Sequence, residues 1–231
     1  MTQPIVNYDQ PEPAAWNPWQ TVTRWLVVIN VSVCVLDWLI LRRNVTLYVN
    51  GQPVLTQPLL AFYGHFSVYF ALAQHQVWRF FTYQFVHANL EHILVNMMGL
   101  LVAGPLVEDR LGRVRYLIFY LLCGAMGPVA HIALSELGFL QMNLWTPLIG
   151  ASASIYGVMV AAARIAPNEM VMLAFPPIDM KLRTLVLILI GLSLAAVIWN
   201  WNNAGGHAAH LGGAIMGWFL INRMLRRPTI A

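Results

Sequence analysis

The distribution of apolar residues constrains this chain more than any other feature. Six apolar runs, separated by more polar segments, approach the length of about 20 residues that a helix needs to cross a bilayer. They cover about residues 22–41, 90–107, 115–135, 152–167, 184–202 and 208–225. Hydrophobic residues make up 59% of the chain and charged residues only 10%, which argues against an ordinary soluble domain. The sequence therefore predicts an all-α membrane protein, a bundle of six transmembrane helices.

The basic residues indicate how the chain is oriented. With the N-terminus inside, ten of the thirteen Lys and Arg residues fall in cytoplasmic segments, and only Arg42, Arg43 and Arg79 lie outside. This asymmetry follows the positive-inside rule and predicts that both termini are cytoplasmic. We expect a multi-pass protein, located in a bacterial inner membrane. Because the net charge of +4 reflects this topology, nucleic acid is not an expected partner.

Two longer segments lie outside the apolar runs. Residues 1–20 are polar and proline-rich and are predicted to form a disordered cytoplasmic tail, which leaves 21–226 as the membrane domain. Residues 42–88 are dense in aromatic residues in their second half, as is typical of the membrane–water boundary. We expect an interfacial outer loop with short helices there. Its His65 and His75 are interpreted as surface residues.

Acidic residues near the ends of the runs are interpreted as structural. Asp37, near the outer end of the first run, is placed at the interface because Trp38 and two arginines follow it. The segment 108–113 is interpreted as a short charged cytoplasmic turn that joins the second run to the third. Neither feature suggests a reaction.

The segment 150–157 places two hydroxyl groups where the fourth run begins. The first backbone N–H groups of a helix have no intrahelical partner, so negative charge that forms beside Ser152 would be stabilised. This setting suits an acyl-transfer nucleophile, although a helix cap is the alternative for any serine at this position. Ser154 lies two residues further around the helix and is not expected to share this geometry.

Histidine and asparagine side chains in other runs supply partners for such a nucleophile. His92 and Asn96 are four residues apart, so they share one helical face about one turn inside the second run. Both side chains can donate hydrogen bonds across helices, and with the Ser152 N–H they would form an oxyanion hole. Such a pair can also serve only to hold helices together.

Small residues predict which helices approach closely. They recur at every fourth position in two runs: Ala153, Gly157 and Ala161 in the fourth, and Ala209, Gly213 and Gly217 in the sixth. If these two stripes pack against each other, His210 reaches the Ser152 hydroxyl and acts as its general base. Tyr156, one turn below Ser152, is then expected to pack on the imidazole and orient it, and His207 to line the site.

Four motifs resemble those of the rhomboid intramembrane serine proteases. In chain order they are Trp78-Arg79, His87 with His92 and Asn96, Gly150 two residues before Ser152, and Ala209-His210 with Gly212. The resemblance extends over about residues 20–225. It implies a Ser152–His210 dyad, oxyanion donors at His92 and Asn96, and a structural role for the Trp78-Arg79 segment. It further implies hydrolysis of transmembrane protein substrates near the outer membrane face through an acyl-enzyme, without a metal or other cofactor.

Other functions are weighed against this interpretation. The family usually has glycine after the nucleophile, and the methyl group of Ala153 fits a helical conformation but not a positive φ. The alternative is therefore a catalytically weak or inactive rhomboid-like protein that binds transmembrane clients. A metal site built from the histidines lacks a carboxylate or thiolate ligand. A transporter is disfavoured because no charged residue lies at mid-membrane and no inverted repeat is apparent.

Overall fold

A computed structural model describes residues 21–141, 143–173 and 177–225, so the predicted tail over 1–20 lies outside the described residues. The described chain is mainly helical, with two short β-hairpins. In chain order its elements are α1 (Val22–Val35, continued by a π-helix over Leu36–Leu41), β1 (Asn44–Val49), β2 (Gln52–Pro58), α2 (Leu59–Gly64), a π-helix (Tyr69–Ala73), α3 (Arg79–Thr82), a 3₁₀ turn (Tyr83–Phe85), α4 (Leu90–Leu111), α5 (Arg113–Glu136), α6 (Ser152–Ile165), β3 (Met170–Leu173), β4 (Ile178–Lys181), α7 (Leu182–Ile198) and α8 (Ala204–Leu225).

Helices occupy all six predicted apolar runs. Among the described residues, three helical segments are long and apolar enough to cross a membrane: Val22–Leu41, α4 and α5. Helices α6 and α7 are shorter and apolar, and α8 has 22 residues. Large apolar side chains on α4 and α7, such as Leu94 and Leu187, are exposed on the outside of the bundle, where lipid rather than water suits them. The protein is thus a helical bundle of the integral membrane type.

The segment between α1 and α4, which the charge pattern predicts to be the first outer loop, contains a β-hairpin, whereas only short helices were expected there. Strands β1 and β2 pair antiparallel, and Thr46 lies opposite Thr56. Asn50 and Gly51 join them with φ values of 51° and 77°. Both residues at the centre of such a two-residue turn need a positive φ, which Asn and Gly adopt most readily. The Asn-Gly pair between two β-branched runs was the signal for this hairpin.

The second half of the outer loop is folded around Arg79. This buried side chain donates through Nη1 to the carbonyl oxygens of Phe62 at 3.0 Å and His65 at 2.6 Å, and its guanidinium lies 4.5 Å from the ring centroid of Phe70. Burial lowers the pKa of Arg79 to about 10. Its Nε donates to Oε1 of Gln76 at 2.7 Å, so two nitrogens of the guanidinium tie the turn after α2 to the start of α3.

The two histidines of this loop differ. His75 is exposed, as expected, but His65 is fully buried, so its interpretation as a surface residue is wrong. Its ring packs edge-on against Phe62 and Phe70. Burial, and secondly the charge of Arg79, lowers the pKa of His65 to about 4. The loop therefore holds a neutral histidine at neutral pH.

Asp37 is structural, as expected, but it is buried rather than placed at an exposed interface. Its two carboxylate oxygens accept hydrogen bonds from the backbone N–H groups of Leu60 and Ala61, each at 2.9 Å. Because these groups lie in the first turn of α2, the carboxylate caps that helix from the end of the first span.

A second buried carboxylate overturns the predicted charged turn over 108–113. Helix α4 continues to Leu111, and Gly112 alone separates it from α5. Glu108 therefore lies inside α4, where its carboxylate accepts from the backbone N–H groups of Val22 at 2.6 Å and Thr23 at 2.9 Å. Helix α1 is thus capped by a side chain of α4, which a one-dimensional charge pattern cannot show.

Helix α6 lies at the centre of the bundle and packs against α4, α5, α7 and α8. The predicted contact between the small-residue stripes is confirmed. A Cβ atom added to Gly213 would overlap the carbonyl oxygen of Ala153, and one added to Gly217 would overlap that of Gly157. Helices α6 and α8 therefore meet backbone to backbone, which fixes how far Ser152 lies from the histidines of α8.

Candidate active site

The turn before α6 sets the position of Ser152. Leu148 exchanges backbone hydrogen bonds with Phe66, and the N–H of Gly150 donates to the carbonyl oxygen of Tyr83 at 2.9 Å. Gly150 has a φ of 112°, and a Cβ atom there would lie 2.6 Å from the His92 ring. Glycine is therefore required both by the backbone conformation and by the approach of His92.

Ser152 and His210 are within hydrogen-bond distance. Ser152 is the first residue of α6, and its Oγ lies 2.8 Å from Nε2 of His210 on α8. Tyr156, one turn along α6, stacks on the imidazole with ring centroids 4.3 Å apart and an angle of 17° between the planes. The structure thus places all three side chains in the arrangement that their spacing predicts.

His92 and Asn96 line the same cavity as Ser152 and His210. Asn89 caps α4 by accepting from the backbone N–H of His92 at 2.8 Å, which fixes the first turn of that helix. The amide Nδ2 of Asn96 is buried and has no hydrogen-bond partner among the described residues. This donor lines the same cavity as Ser152, so it could bind an oxyanion that forms there.

The cavity has a volume of about 660 Å³ and extends from the site along the bundle. Its apolar lining comes from α4, α6, α7 and β3, through residues that include Val95, Val102, Met159, Met172, Leu185 and Leu189. It is therefore a groove bounded by α4 and α7 and floored by α6. Its polar side chains are concentrated at the Ser152 end, whereas the remainder suits an apolar segment.

Two polar contacts at the site were missed by the sequence analysis. Ser193 of α7 places its Oγ 3.2 Å from the Tyr156 hydroxyl and 3.2 Å from Nδ1 of His207. Ser154 is fully buried and donates to Oε1 of Gln84 at 2.7 Å, so it points away from His210, as expected. Ser193 could not be recognised from the sequence, because a single serine in an apolar run is brought to the site only by the packing of the helices.

His87 lies behind His92 rather than in the cavity lining. It is buried, and its ring centroid is 5.1 Å from that of His92. Burial, and secondly the neighbouring His92, lowers the pKa of His87 to about 3. His207 was expected to line the site, but it is not among the residues that line the cavity; it packs edge-on against His210, with ring centroids 5.3 Å apart. Over the described ranges, no group of three or more His, Cys, Asp or Glu side chains is arranged to hold a metal ion.

The objection raised by Ala153 does not arise in this structure. Ala153 lies inside α6 and does not have a positive φ. Its methyl group faces Gly127 of α5, where a further Cβ atom would come within 2.9 Å of it. The missing side chain at Gly127 therefore provides the room that the methyl group of Ala153 takes.

Comparison with known proteins gives a consistent assignment. The family model described as the Rhomboid domain matches residues 74–227. Rhomboid protease GluP of Bacillus subtilis (strain 168) is 30% identical over 178 residues, which cover 75% of this chain and 31% of that protein. RHOMBOID-like protein 1 of Arabidopsis thaliana is 29% identical over 185 residues, or 77% of this chain and 44% of that protein. Rhomboid protease GlpG of Haemophilus influenzae is 25% identical over 159 residues, or 67% of this chain and 74% of that protein.

This chain therefore spans less than half the length of two of these three relatives. The matched region nevertheless contains Arg79, both histidines of α8 and the whole of α4 to α7. Membership in this family agrees with a helical membrane bundle whose cavity has its polar side chains at the start of α6. From the extent of the family match and from these relatives, we conclude that the chain belongs to the rhomboid family.

Proposed function

We propose that this protein is an intramembrane serine endopeptidase that hydrolyses peptide bonds of single-span transmembrane proteins near the outer membrane face. The observation that carries the proposal is the 2.8 Å distance between Ser152 Oγ and His210 Nε2. A hydroxyl and an imidazole at this distance form the nucleophile and base of acyl transfer. Two of the relatives, GluP and GlpG, are named rhomboid proteases, which supports the same activity here.

The reaction follows from the positions of the side chains. Ser152 Oγ attacks the scissile carbonyl carbon while His210 Nε2 accepts the hydroxyl proton. The oxyanion would receive hydrogen bonds from the Ser152 N–H, His92 and the unpaired Nδ2 of Asn96. His210 then returns the proton to the leaving amine as the C–N bond breaks, which leaves an acyl-enzyme. Water, deprotonated by His210, hydrolyses the ester and restores Ser152.

The cavity determines the kind of substrate. A fully hydrogen-bonded helix does not offer its carbonyl carbon to Ser152, so the substrate segment has to unwind at the cleavage site. The apolar groove between α4 and α7 suits the part of the substrate that remains in the membrane. With the orientation favoured by the basic residues, both termini face the cytoplasm and Ser152 lies near the outer face of a bacterial inner membrane.

Cleavage of a single-span reporter protein by the purified protein in liposomes tests the proposal. Wild type and Ser154→Ala should cut, whereas Ser152→Ala and His210→Ala should not. Ser154→Ala is the matched control, because it removes a hydroxyl from the same helix two residues away. Cleavage by Ser152→Ala at the wild-type rate would overturn the assignment of the nucleophile.

The same experiment distinguishes the other functions. Activity should persist in a chelator, since no metal takes part in the proposed reaction; loss of activity there would favour a metal enzyme. If no reporter is cut but one is retained by the protein in a pull-down, the protein is a client-binding member of the family instead.

A further inference from the structure

Ser193 occupies an unusual position in α7. The helix is apolar over the residues around it, and the Ser193 side chain is fully buried. Its hydroxyl lies 3.2 Å from the Tyr156 hydroxyl, 3.2 Å from Nδ1 of His207 and 3.5 Å from Nδ1 of His210. A helix that faces lipid on its outer side thus supplies one buried polar side chain, and that side chain lies within 3.5 Å of the proposed base.

The hydrogen-bonding capacity of a serine defines what this contact can do. A hydroxyl offers one donor and two acceptor positions. Ser193 donates to Tyr156, so both acceptor positions are available to the Nδ1 atoms of His207 and His210. An acceptor facing Nδ1 favours the tautomer that carries its proton on Nδ1. In that tautomer Nε2 of His210 is free to accept the Ser152 proton.

We propose that Ser193 is a positioning residue that holds neutral His210 in the Nδ1–H tautomer and, through Tyr156, fixes the plane of its ring. The effect of Ser193 on catalysis rests on the proposed function, whereas its contacts with His210 and Tyr156 do not. Ser193 acts through His210 and Tyr156 and does not contact the reacting atoms. It occupies the place at Nδ1 that a carboxylate takes in a catalytic triad, but adds no charge to the membrane interior.

The tautomer can be measured without substrate. In protein labelled with ¹⁵N-histidine, the His210 ring nitrogens, assigned by their loss in His210→Gln, should report Nδ1–H in wild type. Ser193→Ala should shift His210 towards a mixture of tautomers, while Ser193→Thr, which keeps the hydroxyl, should restore the wild-type signal. Ser135→Ala is the matched control, because Ser135 is a buried serine that donates within α5 to the carbonyl oxygen of His131 at 2.9 Å.

Cleavage kinetics give the second readout. Ser193→Ala should lower kcat by about tenfold and leave KM nearly unchanged, because one hydrogen bond to the base is lost and the apolar groove is intact. The pH profile of kcat/KM should also move, because the alignment of His210 with the other groups that face it changes. These groups are His207, Tyr156 and His92. Ser193→Thr should recover most of the rate, and Ser135→Ala should match wild type in both readouts.

These outcomes separate the inference from the proposed function. An unchanged His210 tautomer in Ser193→Ala would overturn the positioning role, whatever the activity. A shifted tautomer in a protein that cuts no reporter would support the positioning role and count against the protease. Thermal unfolding of each variant shows whether a lost signal comes instead from a misfolded protein. If Ser193→Ala misfolds, the His210 tautomer in Ser193→Thr tests the positioning role: the wild-type signal supports it, and a mixture of tautomers contradicts it.

Discussion

The packing of α6 on α8 predicts the effect of one added methyl group. Gly157 lies five residues after Ser152, and a Cβ atom there would sit 2.8 Å from the backbone carbonyl oxygen of Gly213 and 2.6 Å from Cβ of Cys123. Rotation of the Cys123 thiol does not move its Cβ atom, and the carbonyl of Gly213 belongs to the backbone of α8. Gly157→Ala must therefore push α6 away from both α5 and α8.

The size of the displacement follows from the contact. Ordinary contacts of a Cβ atom begin at 3.4 Å, so the 2.8 Å contact requires α6 and α8 to separate by about 0.6 Å. The same movement would lengthen the 2.8 Å distance from Ser152 to His210 to about 3.4 Å, near the limit of a hydrogen bond. We expect a loss of about 1–3 kcal/mol of stability, as for overpacking in other cores. Because catalysis depends on sub-ångström placement, kcat should fall by about 10- to 100-fold.

Thermal unfolding in detergent and reporter cleavage measure the two effects. Gly191→Ala is the control, because Gly191 also lies inside a helix but a Cβ atom there would meet nothing within 4 Å. That variant should be as active as wild type and slightly more stable, since alanine favours a helix over glycine. If Gly157→Ala is as stable and active as Gly191→Ala, the contact between the stripes does not set the geometry of the site.

Two further predictions concern the outer loop. Stability should fall as the pH drops from about 6.5 towards 4, because buried His65, with a pKa lowered to about 4, stays neutral in the folded state while the unfolded chain binds a proton. Unfolding temperatures at pH 7 and 5 should show this loss, which His65→Gln reduces and His75→Gln leaves intact. Arg79→Lys should cost about 1–3 kcal/mol, because the single nitrogen of lysine cannot make the hydrogen bonds of both Nη1 and Nε. Exposed Arg43→Lys is its control in the same unfolding assay, and equal stability of the two variants would contradict this role for Arg79.

Much of the membrane architecture was predictable from local patterns. Apolar runs mark each long helix, because a span in lipid must satisfy its own backbone and present apolar side chains. The stripes through Gly157 and Gly213 likewise indicated their contact, since only small residues allow it. The hairpin at Asn50-Gly51 was also encoded locally, but the density of aromatic residues in the loop drew the interpretation towards helices.

Other features depend on partners that are distant in the chain. His65 is buried in a loop that Arg79 holds together, and Glu108 is buried because it caps the start of α1. Neither relation appears as a spacing within one helix. A charge or a histidine looks the same in the sequence whether it faces solvent or caps another helix. Burial of a polar residue is therefore decided by the tertiary structure that satisfies it.

By itself the sequence determined the membrane class, the positions of the helices and the identity of the candidate pair Ser152 and His210, because these depend on local composition and on motifs. Only the tertiary structure decided that their atoms lie 2.8 Å apart and that Ser193, an ordinary serine in an apolar run, points at Nδ1 of the same imidazole. The physical reason is that a hydrogen bond depends on distance and direction in space. Helices remote in sequence acquire these only when their side chains pack.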